Sequence, residues 1–525
     1  MKRNATILAI ALALVLILVA IFLPRSREFS FLDTQITQEE WDKITSTHIY
    51  NKYLNLDGVT FNGYELQLDS DNDRYFYSII EGDDDAYAPL VYFPKNSLVK
   101  IATLDPNISY NRTAKNETTR MLIYTSVDYR EVELVTTTLP LLNIDTKGHR
   151  NLSEEYSDAH IKIFDNRQFA HSRNIESDTK IHIRGSTSLW QEKKSYRLNL
   201  TLPNGTNNHI GLLGMRKDDD WILNNLYGDH EKVRNILSAQ LWNDCCSYHN
   251  ESEVQNSFEY RFVEVFIDNS YAGLYLLGYK PDKKTENLRG DELLFKGKDW
   301  SNAEVLANDD NFSRYYELEK GDIDETLVKD ELLKYINTIA YGSAEDIYRM
   351  FDIDNAIDVE LHGMLTQNVD YVKDNKTKNL YLTIKNGPSR SYLLYTPWDF
   401  DLSLGNSWKN HTANMSSTES YGSPIDTVIV TEQMPTGALR KLGDGNIEQK
   451  IKSRYAELRR GAWNDGHIFG LVDIYERKIF ESGAYFREET RWPNSNYLEG
   501  ALDLSTFKKY LRERIDFVDS YYGYR

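Results

Sequence analysis

Cysteine is nearly absent: two in 525 residues, and the two are neighbours, Cys245 and Cys246. That excludes a disulfide-built scaffold and a cysteine-ligated zinc site. Inside a segment of helical pattern, packing accounts for both. The 11 histidines include no HExxH pair, so no metal-ligand spacing stands out. No G-x-S-x-G elbow supports serine hydrolysis, and neither a Walker A string nor G-x-G-x-x-G is found. Positive charge is in deficit. The 61 Lys and Arg against 80 Asp and Glu leave a net charge of −19, which gives no footprint for nucleic acid. What the chain does have is 9 Trp, 36 Tyr and 20 Phe. That surface can build a large core, and the length allows roughly two to four folded units.

One stretch is extreme. Ala5 to Leu23 carries no charge and follows Lys2 and Arg3; as a helix it would span roughly 28 Å, close to a bilayer core. The run exceeds a usual signal-peptide core, and VAIFLPRS offers no A-x-A-like site. The expectation is therefore a single-pass anchor in the cell membrane within residues 1–29. Lys2 and Arg3 favour a cytoplasmic N-terminus with the bulk outside.

Residues 30–138 read as short β-branched and aromatic strands between Asp, Asn, Gly and Pro, as in a small antiparallel sandwich. Asp83-Asp84-Asp85 within it either binds a cation or is a solvated acidic loop. Residues 139–525 begin with strand patterns, including the hairpin FVEVFIDNSYAGLYLLGYK with DNSYAG as its turn, and continue largely as helices. The fold class is α+β in two lobes, preceded by the all-β module and the anchor.

The segment Gln367 to Asn406 is the richest in chemistry. Asp370 follows a helix, Asn379 opens a β-hairpin, and Asp399 and Asp401 end its second strand. A hairpin brings its two ends together, so these oxygens can converge. Phosphoryl transfer needs such a set: a carboxylate near the acceptor hydroxyl and hard oxygen ligands for Mg²⁺. The same acids could instead cap turns or hold a structural Ca²⁺. In KIHIRGSTSLWQEKKSYRLNL, Gly185, Ser186 and Ser188 could let backbone N–H groups approach phosphates, with Arg184, Lys193 or Lys194 neutralising charge. An ordinary polar hairpin loop fits that string too. Arg234, behind Asp229, could clamp a phosphate or lock a carboxylate within the fold.

In order, LPLLNIDT, IRGSTSLWQEKKSYRLNL, DDDWILNNLYGDHEKVRN, the FVEVFIDN hairpin and QNVDY…KNLYL…TPWDFDLSLG resemble the CotH kinase family, named for spore coat protein H. The resemblance implies an atypical protein-kinase-like fold from about Leu139 onward. It also implies ATP and Mg²⁺ or Mn²⁺ as cofactors, and transfer of the γ-phosphoryl group to serines of protein substrates such as spore coat or envelope proteins. It places Asp370 as the catalytic Asp, which orients the serine hydroxyl or accepts its proton, and Asn379, Asp399 and Asp401 at the metal. Arg184, Gly185, Ser186, Ser188, Lys193 and Lys194 would lie near the nucleotide, with Arg234 as a further candidate phosphate clamp from its own segment. The linker YVKDNKTK is longer than usual, and Tyr279 stands where the family carries an acid. A catalytically silent envelope scaffold that keeps the fold is the alternative. The acid surplus suits a basic protein substrate.

Overall fold

The computed structural model describes residues 27–82, 88–149, 151–246, 248–309, 311–321, 323, 325–407, 422–495 and 502–524. The apolar run Ala5–Leu23 and the Asp83–Asp85 loop lie outside them. Among the described residues no helix is long and apolar enough to cross a membrane.

The N-terminal module packs two sheets around Phe31, Phe61, Tyr75, Val91, Met121 and Leu134. One sheet is antiparallel throughout. The other departs from the antiparallel expectation, because Asp128–Thr137 pairs in parallel with Arg74–Ser78 and with Ile49–Tyr50. After Arg74–Ser78 the chain crosses to the first sheet at Leu90–Phe93 before it returns. Such a crossover permits parallel re-entry where a tight hairpin does not.

From Leu141 seven strands form a closed barrel: β1 (Leu141–Asp145), β2 (Ser157–Phe164), β3 (Asn174–Arg184), β4 (Ser195–Thr201), β5 (Asp220–Asn224), β6 (Tyr260–Ile267) and β7 (Ser270–Gly278). Their order is β1-β2-β3-β4-β5-β7-β6, and β6 closes onto β1 in parallel, Leu141 opposite Glu264. Along β2 the residues Ala159, Ile161 and Ile163 are buried while their neighbours are more open, the period of two expected of a half-exposed strand. Strands β6 and β7 are buried almost throughout, because elements cover both of their faces. The β6–β7 hairpin turns on Asp268 and Asn269, both at positive φ (51° and 60°). The turn is thus two residues long, shorter than the DNSYAG read from the sequence, as a twisted hairpin favours.

Helix α1 (Arg234–Cys246) lies between β5 and β6. A second, four-stranded sheet contains β8 (Leu293–Gly297), β9 (Tyr316–Lys320), β10 (Leu380–Asn386) and β11 (Ser391–Pro397) in the order β9-β8-β10-β11. Helix α2 (Ile353–Thr366) is buried along its length. It is capped by the Asp352 side chain, which accepts from Asn355 N at 3.0 Å, and Arg454 and Arg440 satisfy its buried Asp358 and Glu360. Helices α3 (Gly445–Arg460), α4 (Asp465–Glu476), α5 (Ala484–Arg491) and α6 (Ser505–Tyr522) follow in the mixed α/β architecture, and the helix Glu325–Tyr341 precedes α2. One continuous apolar core runs from Leu139 to Tyr522. Cys245 is buried in α1, in keeping with a packing role.

Candidate active site

A cavity of about 610 Å³ opens where the barrel mouth meets the second sheet. Its acidic wall starts at the end of α2, where Gln367 adopts a left-handed conformation (φ 52°) and turns the chain out of the helix. Asn368 Oδ1 then accepts from Asp370 N at 3.0 Å, while Asn368 Nδ2 donates to the Asp399 carbonyl at 3.2 Å. The two acid-bearing loops are therefore tied side by side.

The long linker after Asp370 is a small hairpin. Val372–Lys373 pairs with Lys376–Thr377 across Asp374 and Asn375, both at positive φ. Folding back in this way returns the chain to its start: Lys378 Nζ and Asn379 Nδ2 reach Asp370 Oδ2 at 3.2 and 2.5 Å. Asp370 Oδ1 is buried without a partner. Burial lifts the Asp370 carboxyl to about 6, with the Asp399 charge adding to it and Lys378 pulling the other way. Asp401 is pushed well above the ordinary carboxylate range, first by burial and then by Asp399, Asp370 and Asp229. Asp370, Asn379, Asp399 and Asp401 all line the cavity.

Arg184, Gly185, Ser186 and Ser188 line it too, on the turn from β3 to β4. Gly185 sits at φ 131°, and a Cβ there would lie 2.0 Å from Ser188 Oγ. Only glycine fits this close turn. Lys194 does not enter the cavity; its ammonium donates to the carbonyls of Leu189 and Gln191 and props the turn from beneath. Lys193 is likewise drawn away, fully buried in an ion pair with Glu488 of α5 at 2.6 Å. Arg234 is buried against Asp229 and Glu231 and donates to Ser403 O at 2.9 Å. These three cations meet internal acids and carbonyls, which a buried charge requires.

Other cations take their place. Lys280, Lys296, Lys298, Arg197 and Lys378 line the cavity, and sequence reading missed them. Lys280 and Arg197 are paired with Glu319 and Asp220. Burial, with Arg184 and Lys280 nearby, presses the Lys296 ammonium down to about 8. Its one sequence signal is a lysine inside the apolar strand LLFKG. Tyr279 is buried away from the cavity, its ring 4.0 Å beneath the Arg216 guanidinium.

A family model described as CotH kinase protein matches residues 181–522. The chain belongs to the CotH kinase family. No curated protein sequence matches it. The CotH match starts within β3, so β1, β2 and the N-terminal module lie before it, whereas every cavity residue named above falls inside it. Family membership makes the chain kinase-like. The donor set fits a divalent cation: Asp399, Asp401 and Asn379 offer hard oxygens, and the repulsion that adds to burial in raising Asp401 is what a cation would relieve. Among the described residues, the one group of three acidic or histidine side chains whose ligand atoms lie within 4.8 Å is His209, Asp218 and Asp219. It is outside the cavity, and Arg216 and Lys284 already pair with Asp218. The Gly185 turn and the lysines that share its cavity suit a polyphosphate.

Proposed function

We propose that this CotH family member transfers the γ-phosphoryl group of ATP to serine hydroxyls of protein substrates. The observation that carries the reading is the asymmetry of Asp370. One oxygen is held by Lys378 and Asn379, and the other is buried and unpartnered, on a side chain that lines the same cavity as the Gly185 turn. A carboxylate fixed in this way can orient a hydroxyl and accept its proton as the oxygen–phosphorus bond forms and the bond to the β-phosphate oxygen breaks. Lys378 balances charge at the base, and Arg184, Lys280, Lys296 and Lys298 would hold the phosphates. Asp399, Asp401 and Asn379 would hold Mg²⁺ or Mn²⁺, whose role is to neutralise phosphate charge.

The acid surplus supports a basic substrate, and the Ala5–Leu23 run supports action at a membrane, on envelope or spore coat proteins. Labelling with [γ-³²P]ATP in Mg²⁺, Mn²⁺ or EDTA tests the reading on wild type, Asp370→Ala and Asp399→Ala. Label should appear with metal in the wild type alone. Labelling that survives both substitutions would sink this mechanism, and absence of ATP binding at millimolar concentration would favour a silent scaffold.

A further inference from the structure

A second cavity, about 300 Å³, lies between α1, β6 and the end of α4, beside the N-terminal module. Its walls are chiefly apolar, among them Leu139, Leu213, Ile236, Phe262 and Tyr475. The charges on it are spoken for: Arg167 pairs with Asp165, Arg261 with Glu259, and Lys478 with Glu81. An anionic head group therefore has no unpaired cation to claim here. Asn166 is different. It is fully buried and its Nδ2 donates to the carbonyls of Ile79 and Thr138. Its Oδ1 alone, among buried polar side-chain atoms of the described residues lining this cavity, has no partner.

The cavity also touches the active site through two elements. Tyr260 lines both spaces. Helix α1 presents Ile236, Ala239, Gln240 and Asn243 to the second cavity, a spacing that makes one helical stripe. The adjoining stripe holds the metal-site loop: Asn235 Oδ1 accepts from Phe400 N at 3.0 Å, and the Ser238 and Ser403 hydroxyls lie 3.2 Å apart.

We propose that this cavity is a regulatory site for a small neutral ligand with an apolar body and one hydrogen-bond donor, coupled to residues 399–406 through α1. The volume is at the small end of ligand pockets, and an apolar lining with a lone polar anchor is their usual composition. The donor would satisfy Asn166 Oδ1, and the body would brace α1 against the loop it carries.

The test uses the full chain with 4-propylphenol, and with propylbenzene as its match lacking the hydroxyl. Calorimetry should show saturable binding of the phenol, roughly tenfold tighter than the hydrocarbon. Ala239→Phe, which fills the cavity, and Gln240→Trp, at its rim, should each abolish it; the rim variant keeps the test intact if the buried one misfolds. Hydrogen exchange should slow at amides 399–406 when the phenol binds. Absent saturable binding, binding indifferent to both substitutions, or unaltered exchange at 399–406 would each overturn the proposal. None of these readouts depends on catalysis, so loss of kinase activity would leave the result readable.

Discussion

Asn379 donates to Asp370 Oδ2 at 2.5 Å, and the hairpin between them exists to bring that amide back. Because the second oxygen of Asp370 is free of partners, the pair holds a base in place without occupying it. Asp370→Asn should keep the fold and lower phosphoryl transfer by about 10²–10⁴-fold, the usual worth of a positioned base. Lys378→Met should lower it less, while ATP affinity changes little. Steady-state labelling rates against ATP concentration separate the two effects.

Gly185 offers a test of the opposite wall. At φ 131° with Ser188 Oγ 2.0 Å from a virtual Cβ, Gly185→Ala must shift the turn, at a local cost of about 1–3 kcal/mol. The turn is exposed, so the melting temperature should move little while ATP binding weakens. Combining it with Ser188→Ala removes the hydroxyl contact but leaves Ser188 Cβ 3.3 Å away and the backbone strain in place, and should restore only part of the affinity. Nucleotide titration by calorimetry checks both.

The acids of this site were legible in the sequence because a hairpin fixes where its ends meet. Asp370, Asn379, Asp399 and Asp401 flank β10 and β11, whose pairing is local, and all four line one cavity. The cations were not legible. Lys193 and Lys194 share a motif with Arg184, yet Lys193 belongs to Glu488, 295 residues away, and nothing local announces such a partner. The barrel was hidden for the same reason. Its hairpins follow from alternation, but closure depends on β1 meeting β6 across more than a hundred residues.

That distant pairing predicts a stability effect separate from nucleotide binding. Lys193 and Glu488 are both fully buried, and Glu488 also accepts from Leu274 N at 2.8 Å. Lys193→Met takes one of two cations from a buried carboxylate that Lys232 also faces, and should cost up to about 3 kcal/mol. Adding Glu488→Gln removes that charge while keeping an acceptor for Leu274, and should recover much of the loss. Urea midpoints measure the cycle. ATP affinity of the folded variants should be unchanged, whereas a nucleotide-binding Lys193 would lose it.

Glu286 predicts how stability depends on pH. The side chain is fully buried behind the second sheet; its Oε1 accepts from Thr396 at 2.8 Å and its Oε2 has no partner. Burial lifts its carboxyl to about 7, against lowering by the Thr396 hydrogen bond and the Lys385 charge. A raised carboxyl binds its proton more tightly in the folded chain, so its contribution is complete below the unfolded value and fades as pH rises through 7. Between about pH 4.5 and 8 the loss should be on the order of 3 kcal/mol. Glu286→Gln keeps the hydrogen bond and cannot ionise, so the variant should be the more stable protein at pH 8 and lack that decline. Urea unfolding of both proteins at pH 5 and pH 8 decides it, and parallel pH profiles would show that Glu286 is not the titrating group.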